Sequence, residues 1–369
     1  MRFSTLLKHP AGWMIGADSD SAVVLTSRIR LARNVRDTPF PGWARKSERI
    51  DILSDLRPAI EDLPAMKDAF SHPLSELSSV QKQVLVERHL ISREQAARSE
   101  GSAVVVNRVQ TLSVMINEED HLRLQSIRSG LHLQEAYELI ASVDEKLEKE
   151  LPYAFDHELG YMTACPTNLG TGLRASAMLH LPGLVISDHI GQVIQGIGKL
   201  GLAVRGIFGE GTESLGHLFQ ISNQSTLGES EKTIISRLER VIRKVRDHER
   251  NARIKLVEDD PQMIADKIAR AYGLLKYAYV IDSKEALTHL SLIRLGADMD
   301  CFPQDTLQLC DSLLMDIEPA HLQYHAKRKL TPEERDTLRA EIIRSRLQNL
   351  PSPVISFIKN TNTDQSPPA

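Results

Sequence analysis

Hydrophobic and polar positions change their period along this chain, and the change divides it in two. From about Val23 to Gly228, short apolar runs alternate with helical stretches and glycine-rich turns. AVVLTSRIRLA (22–32), TLSVMIN (111–117) and LAVRGIFG (202–209) predict strands. Alternation in the first puts Val23, Leu25, Ile29 and Leu31 on one apolar face and Thr26, Arg28 and Arg30 on the other. The run MINEEDHLRLQSI ends a strand at Asn117 and predicts a helix beyond it, with Glu119 and Arg123 four apart on one helical face. From about Glu229 the period lengthens. Ile234, Leu238, Val241 and Val245 recur at spacings of three and four, which marks an amphipathic helix, and helical patterning continues to about Leu347. The end, PSPVISFIKNTNTDQSPPA, is rich in proline and small polar residues and predicts disorder. The expected layout is an N-terminal segment (1–21), a mixed α+β unit (22–250), a helical domain (251–350) and a tail (351–369).

Composition narrows the function classes. The 369 residues are 41% hydrophobic and 25% charged, with a net charge of -4, so nothing global draws the chain to nucleic acid or an anionic membrane. Any anion site must come from local clustering of basic residues. Cys165, Cys301 and Cys310 have neither disulfide-framework nor zinc-site spacing, which suits reduced thiols in a cytoplasmic protein. The N-terminal apolar stretch is broken by Lys8 and Pro10 and lacks a signal-peptide core, and no run approaches a membrane span. No metal site is expected.

Four segments could carry chemistry, and each has a plainer explanation. Arg28 and Arg30, about 7 Å apart on one strand face, could clamp a polyphosphate bidentately, or could be an ordinary solvated face. Glu118, Glu119 and Asp120 could be working carboxylates, or acids favoured by a helix N-terminus. Gly170-x-Gly172-x-x-Ala175 matches a relaxed dinucleotide fingerprint, but a Cys-Pro-Thr-Asn turn precedes it where a buried strand should. That run places Cys165 in a turn and Arg174 close to a helix start, where anions are favoured. Gly206 and Gly211 have phosphate-loop spacing, yet Thr212-Glu213 replaces the required Lys-Ser/Thr. A glycine loop bearing Arg205, Glu210 and Glu213 instead suggests a lid, or a surface hairpin.

Taken together, TSRIRLARN, NEEDHLR, CPTNLGTGLRAS and GEGTE…ISNQ, in this order, closely resemble the signature set of the phosphagen (guanidino) kinase family over roughly residues 22–250. The resemblance implies a curved, mainly antiparallel sheet flanked by helices, with ATP and Mg²⁺ as cosubstrate and cofactor. It carries four phosphate-binding arginines onto Arg28, Arg30, Arg123 and Arg174. The family's fifth arginine falls on Phe208, which leaves Arg205 as the available cation. The nucleotide site implied by the resemblance also takes in Thr26, Ser27, Ile29, His89, Ala175, Ser176, Ala177, Met178 and the stretch Gly206, Ile207, Phe208, Gly209 and Glu210. The guanidinium-positioning carboxylates fall on Glu119 and Glu213, and the family's reactive cysteine on Cys165.

The chain layout points to one branch. Small-molecule guanidino kinases carry a helical domain ahead of the SRIR-like motif, whereas here that motif begins near Thr26 and about a hundred residues follow the kinase part. This arrangement resembles the protein-arginine kinases. RDTLRA places Arg335, Asp336, Arg339 and Ala340 on the RDxxRA motif with which that branch binds phosphoarginine allosterically; spacing alone would read it as a salt-bridged surface helix. The resemblance further implies protein substrates with accessible arginines, marking of proteins for a Clp ATPase and its protease, a stress-gene repressor, a zinc-binding activator protein and a homodimer. Two alternatives stay open: a small-molecule arginine kinase, and an inactive phosphoarginine-binding adaptor.

Overall fold

A computed structural model describes residues 1–8, 10–14, 21–206 and 214–358. Among the described residues, β-branched and aliphatic alternation builds ten strands: β1 (Val24–Arg33), β2 (Phe70–Pro73), β3 (Ala103–Val106), β4 (Leu112–Ile116), β5 (Leu122–Ser129), β6 (Phe155–Asp156), β7 (Gly160–Tyr161), β8 (Leu173–His180), β9 (Leu202–Gly206) and β10 (Leu218–Asn223). Strands β6 and β7 form a separate hairpin. The other eight make one sheet in the order β2-β3-β4-β5-β1-β8-β10-β9, with antiparallel pairing throughout. The α+β expectation therefore holds.

The first eight helices are α1 (Phe3–Leu7), α2 (Lys46–Glu61), α3 (Ser79–Glu87), α4 (Arg93–Ala97), α5 (Leu133–Glu150), α6 (Pro182–Ile186), α7 (Ile190–Lys199) and α8 (Glu231–Asp259). One sheet face, with Ile29, Leu31, Leu122, Leu124, Ala175, Ala177 and Ile221, packs against apolar stripes of α2, α5 and α8. The predicted stripe Ile234, Leu238, Val241 and Val245 is buried in this core. Beyond it lie α9 (Pro261–Tyr277), α10 (Ser283–Asp298), α11 (Thr306–Asp316), α12 (Pro319–Ala326) and α13 (Pro332–Arg346). The predicted boundary near residue 250 falls inside the continuous helix α8. In the tail, Ile355 and Phe357 pack against the C-terminal helices; residues 359–369 lie outside the described residues. Among the described residues no helix is long and apolar enough to cross a membrane.

The opposite sheet face is covered only in part. At one end, Val104, Val106 and Met115 pack under α1 and α3. At the other, Leu25, Ile127, Met178 and Leu218 pack under α9–α11 and α13. A register shift between Val24 and Thr26 explains why Leu25 belongs here and not, as predicted, with Ile29 and Leu31. The strip between the two covers carries the charged residues.

Candidate active site

The pairing register assembles the predicted cations. Arg30 lies opposite Arg174 on β8 and Gln125 on β5, and Arg28 opposite Ser176 and Ile127. Arg123 is diagonal to Arg30, and Arg205 on β9 faces Gln220, which faces Met178. Side chains opposite one another in register share a face, so Arg28, Arg30, Arg123, Arg174 and Arg205 all rise from the uncovered strip. Arg174 is the second residue of a strand and does not start a helix, because Leu173–His180 alternates in register with β1 and β10.

This crowding is electrostatically costly without an anion. Burial, then Arg123 and Arg174, pushes Arg28 down to about 10. Burial and the neighbours Arg28, Arg123 and Arg174 hold Arg30 well below the usual guanidinium value. Arg174 is lowered by burial, Arg205 and Arg123, and raised by the Cys165 thiol. Two like charges about 7 Å apart repel by about 2 kcal/mol at an effective dielectric near 20. Arg28 donates to Gln220 Oε1 (2.6 Å) and Ser176 Oγ (3.4 Å), while the buried Arg30 Nε has no hydrogen-bond partner among the described residues. A polyanion seated on the strip would relieve this repulsion and could be bonded bidentately.

The acidic run does not form a helix. Asn117, in the left-handed region (φ 54°), starts a tight turn joining β4 to β5, and Asn117 N donates to His121 O (2.9 Å). The reason is the period-2 pattern of HLRLQSI, in which Leu122 and Leu124 face the core and Arg123 and Gln125 the strip. Glu118, buried, grips Arg123 Nη1 through both oxygens (2.9 and 2.7 Å) and contacts Ser92 Oγ. Burial raises its pKa, but Arg123 and Ser92 bring it below the ordinary value. Glu119 is partly exposed, and its carboxylate accepts no hydrogen bond among the described residues. Burial, then Asp120, Glu118 and Glu94, pushes its pKa up against the pull of Arg123. Asp120 accepts from Asn34 Nδ2 (2.6 Å) and Ala164 N (2.7 Å), which fastens this turn to the loop bearing Cys165. Cys165 Sγ lies 3.0 Å from Thr167 Oγ1. That loop closes on β1 at Gly172 (φ 65°), where a Cβ would meet Ala32 O at 2.6 Å; only glycine fits.

The remaining predicted residues divide. Thr26, Ser176, Met178 and His89 line a cavity of about 60 Å³ with Arg28 and two residues not predicted, Ile127 and Gln220. His89 (φ 58°) is half-buried against Trp13 (ring centroids 5.5 Å), and desolvation, then Arg28, lowers its pKa to about 3, so it is neutral. Ile29, Ala175 and Ala177 turn into the opposite core, and Ser27 Oγ bonds Gly130 O (2.8 Å). Gly206 ends β9, while Ile207, Phe208, Gly209, Glu210 and Glu213 lie outside the described residues. On α13, Arg339 is buried and donates to Ile281 O (2.9 Å), Ile317 O (3.2 Å) and Asp336; Arg335 is partly exposed and Ala340 buried. Sequence reasoning missed Glu118, Ser92, Asn34 and Gln220 as supports of this site. The alternation of HLRLQSI was the signal that could have exposed Glu118, by making the NEED run a hairpin turn.

Comparison with known proteins supplies the family. The model of the ATP:guanido phosphotransferase C-terminal catalytic domain matches residues 51–252, more than half the chain, and that of the protein-arginine kinase McsB C-terminal domain matches 261–357. A protein-arginine kinase of Brevibacillus brevis is 44% identical over 341 residues (92% of this chain, 95% of the relative). One of Moorella thermoacetica is 44% identical over 344 residues (92% and 98%). Among solved structures, lombricine kinase aligns at a TM-score of 0.56 with 27% identity, covering 66% of this chain and 71% of its own. The duplicated taurocyamine kinase of Schistosoma mansoni, with transition state analog components, aligns at 0.58 with 23% identity (86% and 49%), a likeness of fold. The chain belongs to the ATP:guanido phosphotransferase family, in its protein-arginine kinase branch.

Proposed function

We propose that this protein transfers the γ-phosphoryl group of ATP to arginine side chains of proteins. The observation that carries the reading is the strip of mutually repelling arginines ending at the uncommitted Glu119 carboxylate. Arg28, Arg30, Arg123 and Arg174 hold the triphosphate, with the free Arg30 Nε as one donor. A protonated guanidinium is a poor nucleophile. Glu119 accepts a hydrogen bond from the attacking nitrogen and takes its proton as the N–P bond forms and the bond from Pγ to the β–γ bridging oxygen breaks, releasing ADP. Its raised pKa strengthens it as a base. Cys165, close enough to act on Arg174, lies on the same side and tunes the guanidinium electrostatically. By resemblance, Glu213 supplies the second carboxylate.

Mg²⁺ fits as an ion carried by the nucleotide. Among the described residues no three acidic, thiol or imidazole groups converge into a cage, and Mg²⁺ favours phosphate oxygens and water. Glu118 and Asp120 are already engaged by Arg123, Asn34 and Ala164 N, so the ion would be held by phosphate oxygens and water and would there neutralise charge on the transferring group. The wider role belongs to the same proposal: marking proteins for a Clp protease, acting on a stress-gene repressor, and sensing phosphoarginine through Arg335 and Asp336.

The test is incubation with ATP, Mg²⁺ and either an arginine-rich unfolded protein or free arginine, followed by mass spectrometry for acid-labile phosphoarginine. Phosphoarginine in the protein is expected. Strong turnover of free arginine with none in protein would overturn the reading in favour of a metabolite kinase.

A further inference from the structure

A cleft of about 410 Å³ opens between residues 35–40 and 154–162, and nothing in the reaction described above uses it. Both its walls are tied to the catalytic turn. On one side, His121, two residues after Glu119, accepts from Val35 N at Nδ1 (3.1 Å) and so carries its proton on Nε2, which donates to Pro39 O (3.0 Å). Phe40 meets the His121 ring edge-on at 6.0 Å. On the other side, Met162 N donates to Ala154 O (2.9 Å) and Met162 O accepts from Asn34 Nδ2 (3.0 Å). Asn34 also holds Asp120, and Cys165 follows three residues on. Both walls of the cleft are therefore hydrogen-bonded to the turn that bears Glu119 or to Asn34, which holds that turn.

The cleft presents apolar surface that the fold itself does not use. Phe155, on its wall, is 45% exposed with its ring against Tyr161 (5.1 Å). Outside the cleft, three residues beyond its wall residue Phe40, Trp43 is 90% exposed on a turn closed by its own N–H to Phe40 O (2.8 Å). An exposed aromatic ring offers a bound polypeptide large apolar contact area at low entropic cost. The rim mixes signs: Arg36 and Asp37 oppose each other, and Asp156 is engaged by Glu158 N and Leu159 N. Charge therefore gives little selection here, and aromatic contact gives most of it.

We infer that this cleft receives the polypeptide flanking the target arginine and selects segments with an apolar or aromatic side chain beside it. The inference rests on the protein-substrate reading above. Residues two positions from the arginine in an extended chain lie about 7 Å away on the same side of the backbone. Native proteins bury apolar neighbours, so such segments come from unfolded chains and flexible loops.

Two peptides test this, each with a single arginine, one with phenylalanine two residues away and one with glycine there. The wild type should favour the phenylalanine peptide about tenfold in kcat/KM. Trp43→Ala and Phe155→Ala should each pull the ratio toward one, through KM for the phenylalanine peptide. The ratio within one variant is insensitive to loss of folded enzyme. A wild-type ratio near one, or a ratio that survives both substitutions, overturns the inference. A Phe155→Ala variant that keeps the ratio but loses self-association in light scattering assigns the cleft to a second copy, and also overturns it. If neither peptide reacts while free arginine does, the protein-substrate reading itself fails, and the inference falls with it.

Discussion

At the scale of single residues, three adjacent acids do three different things, and only their surroundings separate them. Glu118 is an arginine clamp, Glu119 has a carboxylate with no hydrogen-bond partner among the described residues, and Asp120 fastens two loops together. Glu119→Gln keeps the shape but removes the proton acceptor. It should lower kcat by about 10²- to 10⁴-fold while ATP binding, read by calorimetry, changes little. In the wild type the acid limb of kcat/KM should lie above the ordinary glutamate range. Activity should fall as pH drops through that raised pKa, and the limb should vanish in Glu119→Gln. Glu118→Gln acts differently, because it leaves Arg123 buried without its counter-charge. Breaking such a pair costs about 3 kcal/mol in unfolding free energy, and kcat should fall as Arg123 loses its fixed orientation. Unchanged stability in denaturant titrations would show that Glu118 is not the clamp.

At the scale of elements, the hydrophobic period identified β1, β4, β9 and helix α8, because their pattern is local. It failed where local pattern and local propensity disagreed. Three acids before an apolar run look like a helix start, yet the run alternates, and pairing of β5 with both β4 and β1 decides in favour of a strand. Arg174 was misplaced for the same reason. The bulge that sends Leu25 to the other face has no sequence signature at all, since it is set by its partner strand β8. The cations of the site were legible individually, but their assembly was not: Arg123, Arg30, Arg174 and Arg205 come together only through register between strands distant in sequence. The hairpin itself can be tested. Asn117 adopts φ 54° and donates to Arg49 O (3.0 Å) and Gly101 O (2.7 Å). Asn117→Ala should therefore cost about 2 kcal/mol in chemical denaturation, combining left-handed strain with two lost hydrogen bonds. Asn117→Gly should recover the conformational part only.

At the scale of the whole molecule, the C-terminal helices and the sheet are joined by a buried chain of hydrogen bonds whose polarity is fixed. Arg294 Nη1 donates to His180 Nδ1 (3.2 Å), so His180 carries its proton on Nε2 and donates to Ser291 Oγ (2.7 Å). Ser291 then donates its own proton to His217 Nδ1 (2.7 Å), just ahead of β10. Both imidazoles must be neutral. Burial, then Lys267, lowers His217 to about 4; burial, Arg294 and Arg253 hold His180 well below its usual value. A histidine whose folded pKa is depressed contributes stability that is complete above the unfolded value near 6.5 and is lost as pH falls toward the folded value. The slope is about 1.4 kcal/mol per pH unit for each histidine. Glu318, pushed up to about 8 by burial and Glu87, works in the opposite direction over the same range and partly masks the effect. The variant comparison removes that mask. His217→Gln should flatten the decline in unfolding free energy between pH 6.5 and 4 by about one proton's slope, measured by urea titration at several pH values. Parallel curves for wild type and variant would mean that His217 takes up no extra proton on unfolding, and the fixed chain joining the C-terminal helices to the sheet would have to be abandoned.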